Sequence, residues 1–313
     1  VTGVQTCALP ISEFTLPGRK FLDICRALPE NAVLDMTREK DQVILRSGRS
    51  RFVLTTLPAK EFPSIEITKP SITFTIRQGE LKSLLEDTMF AMAQQDVRYY
   101  LNGLLMEISR NNMRAVATDG HRLALKEIGP EIETPDAIQA IIPRKGVVEA
   151  ARLLKHSEEP VHIQLTSNHI RIQFDNTQFT CKLIDGKFPD YERVLPKASD
   201  NILTADREEL KQGLTRASIL SNEKYKGVRL TLKKNCIKAL AHNPEQEEAE
   251  EEIAVSYDGQ EMEIGFNVSY LLDALNVIKT EKVVLVATDP DSSCLLFPEQ
   301  QKNSKYVVMP MRL

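Results

Sequence analysis

Three stretches of the chain open in the same way. Pro17-Gly18-Arg19-Lys20 leads into FLDICRAL, Pro143-Arg144-Lys145-Gly146 into VVEAARLL, and Asn267-Val268-Ser269-Tyr270 into LLDALNVI, each followed by strand-like alternation. A second signature occurs twice: Thr75 runs into Gly79-Glu80-Leu81-Lys82 with Leu85 behind it. Thr204, 129 residues later, runs into Glu208-Glu209-Leu210-Lys211 with Leu214 behind it. FVLTTLPAKEFP (52–63) and FTCKLIDGKFP (179–189) place Leu57 and Leu183 at one spacing before a Phe-Pro. Self-similarity at a fixed period means that one supersecondary unit has been copied. The spacing predicts a full unit over 72–200, a slightly shorter one over 201–313, and about the second half of one over 13–71. Short polar turns such as Lys197-Ala198-Ser199-Asp200 separate them.

Within a unit the order reads strand, helix, several strands, helix, several strands. Leu81, Leu84, Leu85, Thr88 and Met92 fall on one helical face. The second helix is expected to carry Pro143 at its first position, with Val147, Val148, Ala151 and Leu154 inward. Leu104–Ser109, Ile170–Phe174 and Val228–Leu232 alternate as half-buried antiparallel strands do. The fold class is therefore α+β, two helices per unit on mostly antiparallel sheets. Residues 1–12, VTGVQTCALPIS, lack the charged and apolar regions of a signal peptide. They resemble the conceptual translation of a sequencing-library adapter, so natural sequence is expected to begin near Glu13 and the chain to be truncated at its N-terminus.

Composition removes several function classes. Of the 313 residues 42% are hydrophobic and 27% charged, and no apolar run approaches the ~18 residues of a membrane span. Only 13 residues are glycine, and no dinucleotide fingerprint, phosphate-binding P-loop or nucleophile elbow is present. Cys7, Cys25, Cys181, Cys236 and Cys294 stand singly, as in a reducing cytosol. His121, His156, His162, His169 and His242 form no metal-binding motif, and His162 and His169 fall in a strand pair. No metal and no cofactor are expected.

Basic residues gather on helices although the formal net charge is −4: Arg144, Lys145 and Arg152 in one unit, Arg216 and Lys279 in another. The bland reading is a solvated helix face. The functional one is a set of helices facing a phosphate backbone without gripping it, because the balance is far from the basic footprint of a tight nucleic-acid binder. The run EQEEAEEE, Glu245 to Glu252, reads as a solvated loop or edge strand, or as the complement of a basic strand. Arg46, Arg49 and Arg51 supply such a strand, with Arg49 and Arg51 expected on one face. Phe52, Leu54, Ile219 and Leu220 would form the apolar centre of that charged rim. The C-terminal YVVMPMRL either completes a sheet or lines a groove, and Pro310 argues against a purely central strand.

DVRYYLNG (96–103), ATDGHRLA (117–124), PRKG (143–146), KFPDY (187–191), RVLPK (193–197), SNEKYKGVRL (221–230), HNPEQEEAEE (242–251), EIGFNVSY (263–270) and YVVMPMRL (306–313) together resemble the bacterial β sliding clamp. That family is the processivity subunit of DNA polymerase III, and the likeness is to its gammaproteobacterial type from about Glu13 onward. The resemblance implies a homodimeric ring of clamp domains around duplex DNA, contacted without sequence specificity and with no catalytic centre. It tethers the DNA polymerase III α subunit, the clamp loader and other clamp-motif proteins, and it implies no membrane partner.

Carried over by position, a partner-peptide pocket would be lined by Leu101, Thr118, Gly120, His121, Arg122 and Leu123, then Pro189, Arg193, Val194 and Ser293. The C-terminal Val307, Val308, Met309, Pro310, Met311, Arg312 and Leu313 would complete it, with Asn267 and Tyr270 at its edge. Peptides of the Gln-Leu-x-Leu-Phe kind would bury Leu and Phe there. DNA-facing residues would be Lys20, Gln94, Gln95, Arg98, Tyr99, Arg144, Lys145, Arg216 and Lys279. The subunit contact would set Arg49, Arg51, Phe52 and Leu54 against Ile219, Leu220, Glu247, Glu250 and Glu251. Gln94 departs from the family, whose close relatives carry histidine there, and the first half of the first domain is missing. Two other readings compete: a hydrolase or transferase using Asp119 and His121, for which no orienting group or oxyanion motif is present, and an ordinary sequence-specific DNA binder.

Overall fold

The structure is a computed structural model that describes residues 13–62, 69–134, 137–196 and 201–312, which fall into two compact units, 13–62 and 69–312. The sequence readings that rest on residues 1–12, Pro63, Lys197–Asp200 and Leu313 lie outside the described residues.

In the first unit β1 (Phe14–Thr15) precedes α1 (Gly18–Ala27), and the strands β2 (Asp35–Glu39), β3 (Gln42–Ser47), β4 (Ser50–Thr55) and β5 (Leu57–Pro58) follow. β2, β3 and β4 form one antiparallel sheet, and β1 pairs with β5. The β3–β4 hairpin closes over Gly48, whose φ of 55° suits a two-residue turn between Ser47 and Ser50. Arg49 is therefore a turn residue, not a strand partner of Arg51 on one face. Val43, Leu45 and Leu54 are buried at the centre of this unit, with Phe14, Phe21, Ile24 and Phe52 partly buried around them.

The second unit carries two copies of one pattern. In chain order the first has β6 (Ile72–Arg77), α2 (Gln78–Glu86), β7 (Gly103–Ser109), β8 (Asn112–Thr118), β9 (Arg122–Ile128), β10 (Ile138–Pro143), α3 (Arg144–Leu153), β11 (Pro160–Leu165), β12 (His169–Phe174) and β13 (Thr177–Lys182). The second has β14 (Ile202–Asp206), α4 (Arg207–Ser218), β15 (Gly227–Lys233), β16 (Cys236–His242), β17 (Glu248–Ser256), β18 (Met262–Asn267), α5 (Val268–Val277), β19 (Lys282–Val286), β20 (Cys294–Pro298) and β21 (Ser304–Val308). Every pairing is antiparallel. β13-β12-β11-β6 form one sheet, and β10-β7-β8-β9-β21-β20-β19-β14-β17-β16-β15-β18 form a continuous second one.

The last strand closes the seam between the copies: β21 pairs with β20 on one side and with β9 on the other, setting Val307 opposite Leu123. The C-terminal tail thus completes the middle of a sheet as far as Val308, and Pro310 falls just beyond the ladder, where its missing N–H costs nothing.

Helices form where the pattern predicts, with local differences. Leu81, Leu84, Leu85, Thr88 and Met92 are all buried, although α2 ends at Glu86; Thr88 continues the face by bonding its hydroxyl back to the Leu84 carbonyl at 2.7 Å. Pro143 is the N-cap of α3 and not its first helical residue. Val147, Ala151 and Leu154 are buried as expected, with Ala150, whereas Val148 lies off that face and is 40% exposed. α4 and α5 have side-chain caps, Asp206 accepting from the Glu209 N–H at 2.8 Å and Asn267 from the Ser269 N–H at 2.9 Å. β7 is buried on both faces and does not alternate as expected, since helices cover one side and the segment 183–196 crosses the other.

Candidate functional site

The β9–β21 seam gathers most of the expected pocket. Leu101, Leu123 and Val307 are buried in one apolar cluster with Leu105, Val116, Ile141, Phe188 and Tyr191. Val308, opposite Arg122, is buried toward the other face, in the main core. Beyond β21 the tail continues past His121 to β18: the Met309 N–H donates to the His121 carbonyl and the Met311 N–H to that of Gly265, both at 2.9 Å. Met309 is 40% exposed, Pro310 and Met311 are half-buried, and Arg312 is exposed. Ser293 is half-buried beside Cys294, which pairs with Val308.

The turn 118–122 is built from its own side chains. The Thr118 hydroxyl donates to the Arg122 carbonyl at 2.6 Å and accepts the Gly120 N–H at 3.1 Å. Gly120 takes φ 88°, and a side chain there would meet the Arg98 guanidinium at 3.1 Å. Asp119 Oδ1 accepts the N–H groups of His121 and Arg122, and its Oδ2 accepts from Arg122 Nε. That carboxylate holds a turn and does not orient an imidazole. His121 is an exposed ring stacked 6.4 Å from Tyr270, so the hydrolase or transferase reading of Asp119 and His121 is set aside.

Arg122 joins the two copies. Besides Asp119 its guanidinium bonds the Phe90 carbonyl at 3.0 Å and the Asp273 carboxylate of α5, and it lies 5.4 Å from the Phe90 ring centroid and 4.6 Å from that of Tyr270. With only 13% of the side chain exposed, its polar atoms are spent on this junction. Burial lifts the Tyr270 phenol above its ordinary value. Asp273 and Phe90 were not singled out in the sequence; the polar Asp273 interrupting LLDALNVI three residues after Tyr270 was the available signal.

On the segment that crosses the outer face of β10-β7-β8-β9, Pro189 is exposed between the buried Phe188 and Tyr191, and Arg193 and Val194 are exposed just after Tyr191. The Tyr191 hydroxyl donates to the Glu107 carboxylate and accepts from Arg114 at 2.8 Å. Burial, then the bond to Glu107, push its pKa up to about 12. None of these three was singled out, because their meeting depends on strand register.

Four expected DNA-facing residues, Gln94, Gln95, Arg144 and Lys145, line one open pocket of 510 Å³ with Ala93, Asn102, Val148 and Glu149. Arg144 is anchored there through the Met92 carbonyl at 3.0 Å. Arg98 is paired with Asp96 at 2.8 Å, holding that carboxyl down at about 2, and Tyr99 is 56% exposed. Lys20 is exposed in the first unit and Lys279 after α5. Arg216 differs: it grips Glu251 with two bonds of 2.8 Å, so a residue expected on the DNA side and one expected in the subunit contact neutralise each other.

Of the remaining contact residues, Arg51 is exposed and Phe52 half-buried on β4, Arg49 is exposed in the turn, and Leu54 belongs to its own unit's core. Ile219 is 73% exposed and Leu220 half-buried after α4; Glu247 and Glu250 are exposed. The acidic run is strand from Glu248 onward. It pairs with β16 along its length but with β14 only at Val255 and Ser256, so that among the described residues no second strand pairs with the edge from Glu248 to Ala254. Among the described residues no helix is long and apolar enough to cross a membrane.

Family models of the DNA polymerase III beta subunit match three stretches: the N-terminal domain at residues 8–66, the central domain at 75–190 and the C-terminal domain at 192–312. The beta sliding clamp of Pseudomonas putida KT2440 is 54% identical over 301 residues, 96% of this chain and 82% of that protein. That of Escherichia coli K12 is 51% identical over 299 residues, 96% and 81% of the two chains. A crystal structure of the DNA polymerase III subunit beta from Pseudomonas aeruginosa matches with a TM-score of 0.96 at 50% identity, covering 99% of this chain and 85% of that one. A sliding clamp of the same species, bound to griselimycin, matches with a TM-score of 0.92 at 51% identity over 96% and 81%. The repeated α+β units, the seam and these likenesses place the chain in the DNA polymerase III beta subunit family, the beta sliding clamps, which are non-catalytic processivity factors.

Proposed function

We propose that the chain is one subunit of a two-subunit ring that encircles duplex DNA in the cytoplasm and captures its partners by short peptides. Segment 13–71 supplies part of a first clamp domain, 72–200 the second and 201–313 the third. The observation that carries the reading is the β9–β21 seam, where the tail after β21 brings Met309 to His121 beside the buried Leu123 and Val307. An apolar floor, an adaptable methionine and the exposed Pro189 and Val194 suit a peptide that buries Leu and Phe. The DNA polymerase III α subunit, the clamp loader and other clamp-motif proteins would compete for this one site. Griselimycin, bound in the Pseudomonas aeruginosa clamp structure, is expected to bind this chain too.

Duplex DNA would face Gln94, Gln95, Arg144 and Lys145, and also Arg98, Tyr99 and Lys279, with Lys20 contributed by the first unit. Retention is topological, so a net charge of −4 does not oppose it. In the subunit contact Arg49, Arg51 and Phe52 of one copy meet Ile219, Leu220, Glu247 and Glu250 of the other, while Leu54 and Glu251 act within their own units.

The test is fluorescence anisotropy with a labelled Gln-Leu-x-Leu-Phe peptide. The chain should bind it saturably, and Met309→Glu should weaken binding by about tenfold or more. A peptide with Leu and Phe replaced by Ala should not bind; equal binding of the two peptides, or none by the unaltered chain, overturns the reading.

A further inference from the structure

Four neighbouring strands contribute one polar residue each to a single row across the outer face of their sheet. Ladder register sets Gln139 of β10 opposite Glu107 of β7, Glu107 opposite Arg114 of β8, and Arg114 opposite Glu127 of β9. The row is bonded along its length. Gln139 Nε2 donates to Glu107 Oε1 at 2.6 Å, and Arg114 Nε and Nη2 donate to Glu127 Oε2 at 3.2 and 3.1 Å. Side chains two residues further along the same face, Ile141, Leu105, Val116 and Leu125, form the next row and are apolar. The row after that carries Leu123 and Val307, the floor of the proposed pocket.

Tyr191 spans this pattern. Its ring is buried among the apolar row, and its hydroxyl ends in the polar one, donating to Glu107 and accepting from Arg114. Arg114 also reaches Glu192 at 3.4 Å. The segment is tied at its start through Ile184, whose N–H donates to the Ile141 carbonyl at 2.8 Å. Between Ile184 and the seam the Tyr191 hydroxyl is the buried polar anchor that the described contacts supply. By contrast, the Arg193–Asp190 pair is 83% and 56% exposed and restrains little.

We propose that Glu107 and Arg114, acting through the Tyr191 hydroxyl, are positioning residues that hold the 186–195 segment at a fixed place on the sheet and so preorganise the pocket wall of Pro189 and Val194. The proposal rests on the pocket reading above. None of the three residues touches the partner; they reduce the ordering cost of binding, which is how preorganisation raises affinity.

Tyr191→Phe removes one oxygen and leaves the buried ring, so it separates the anchor from the core. Its Kd for the Gln-Leu-x-Leu-Phe peptide should rise three- to tenfold. Hydrogen exchange over 186–195 should quicken while the thermal midpoint stays near that of the unaltered chain. Glu107→Ala, which removes the acceptor for the hydroxyl, should raise the Kd by a similar factor; an unchanged Kd there counts against the proposal too. An unchanged Kd in Tyr191→Phe, or exchange over 186–195 that does not quicken, overturns the proposal. An unaltered chain that binds no peptide fails before any substitution, which overturns the pocket and this proposal with it.

Discussion

α1 and α3 open on the same kind of sequence and have different fates. α3 buries Gly146, Val147, Ala150 and Ala151 between its own sheet and α2, whereas α1, of the same length and pattern, buries no residue. The strands behind them differ likewise: β11 alternates buried and exposed, while every residue of β2 is exposed. Similar sequence therefore carries the same helix and strand propensities into both places, but buries α3 in a large core and leaves α1 beside a small one of Val43, Leu45 and Leu54.

The largest expected effect sharpens this difference. Leu84, fully buried on α2, should cost roughly 2–5 kcal/mol when changed to Ala, whereas Leu22→Ala on α1, 47% exposed, should stay within about 0.5 kcal/mol. Urea titration of both variants gives the comparison, and equal losses would break it. Next, amides of α1 should exchange on the order of a hundredfold faster than those of α3, because local opening is cheap where little apolar surface is buried. Hydrogen exchange with mass spectrometry reads this directly. Smaller again is the cap of α4: Asp206→Ala should lower stability by about 1 kcal/mol. The smallest is a pH effect in the 94–99 loop. Hydrogen bonds from Arg98 hold Asp96 near 2, below its ordinary 3.8, so its contribution is present above about pH 4 and lost as pH falls toward 2. Carboxyl chemical shifts followed by NMR would show it.

How much was legible in the sequence depended on how local the cause was. The α2 face was readable because five residues at helical spacing meet one core, and the fold class followed from the repeats. Val148 sits at the edge of the α3 stripe that Val147, Ala150, Ala151 and Leu154 fill, where spacing alone does not decide burial. Residue spacing does not show that Arg49 is a turn residue, because the turn at Gly48 is a matter of backbone angle. The Arg216–Glu251 pair and the Gln139–Glu107–Arg114–Glu127 row lie beyond any spacing rule, since each depends on which strands become neighbours. Of the pocket, Leu123 and Val307 came from resemblance, and their meeting required the β9–β21 register.

In the proposed subunit contact the exposed Arg49 and Arg51 of the first unit meet the acidic Glu247 and Glu250 of a second copy. Sedimentation velocity over a protein concentration series tests it most directly. The account predicts a species of twice the 35.3 kDa chain mass that gives way to monomer as salt is raised, because the contact has a charged rim. A species of 35.3 kDa at every concentration in low salt would contradict it.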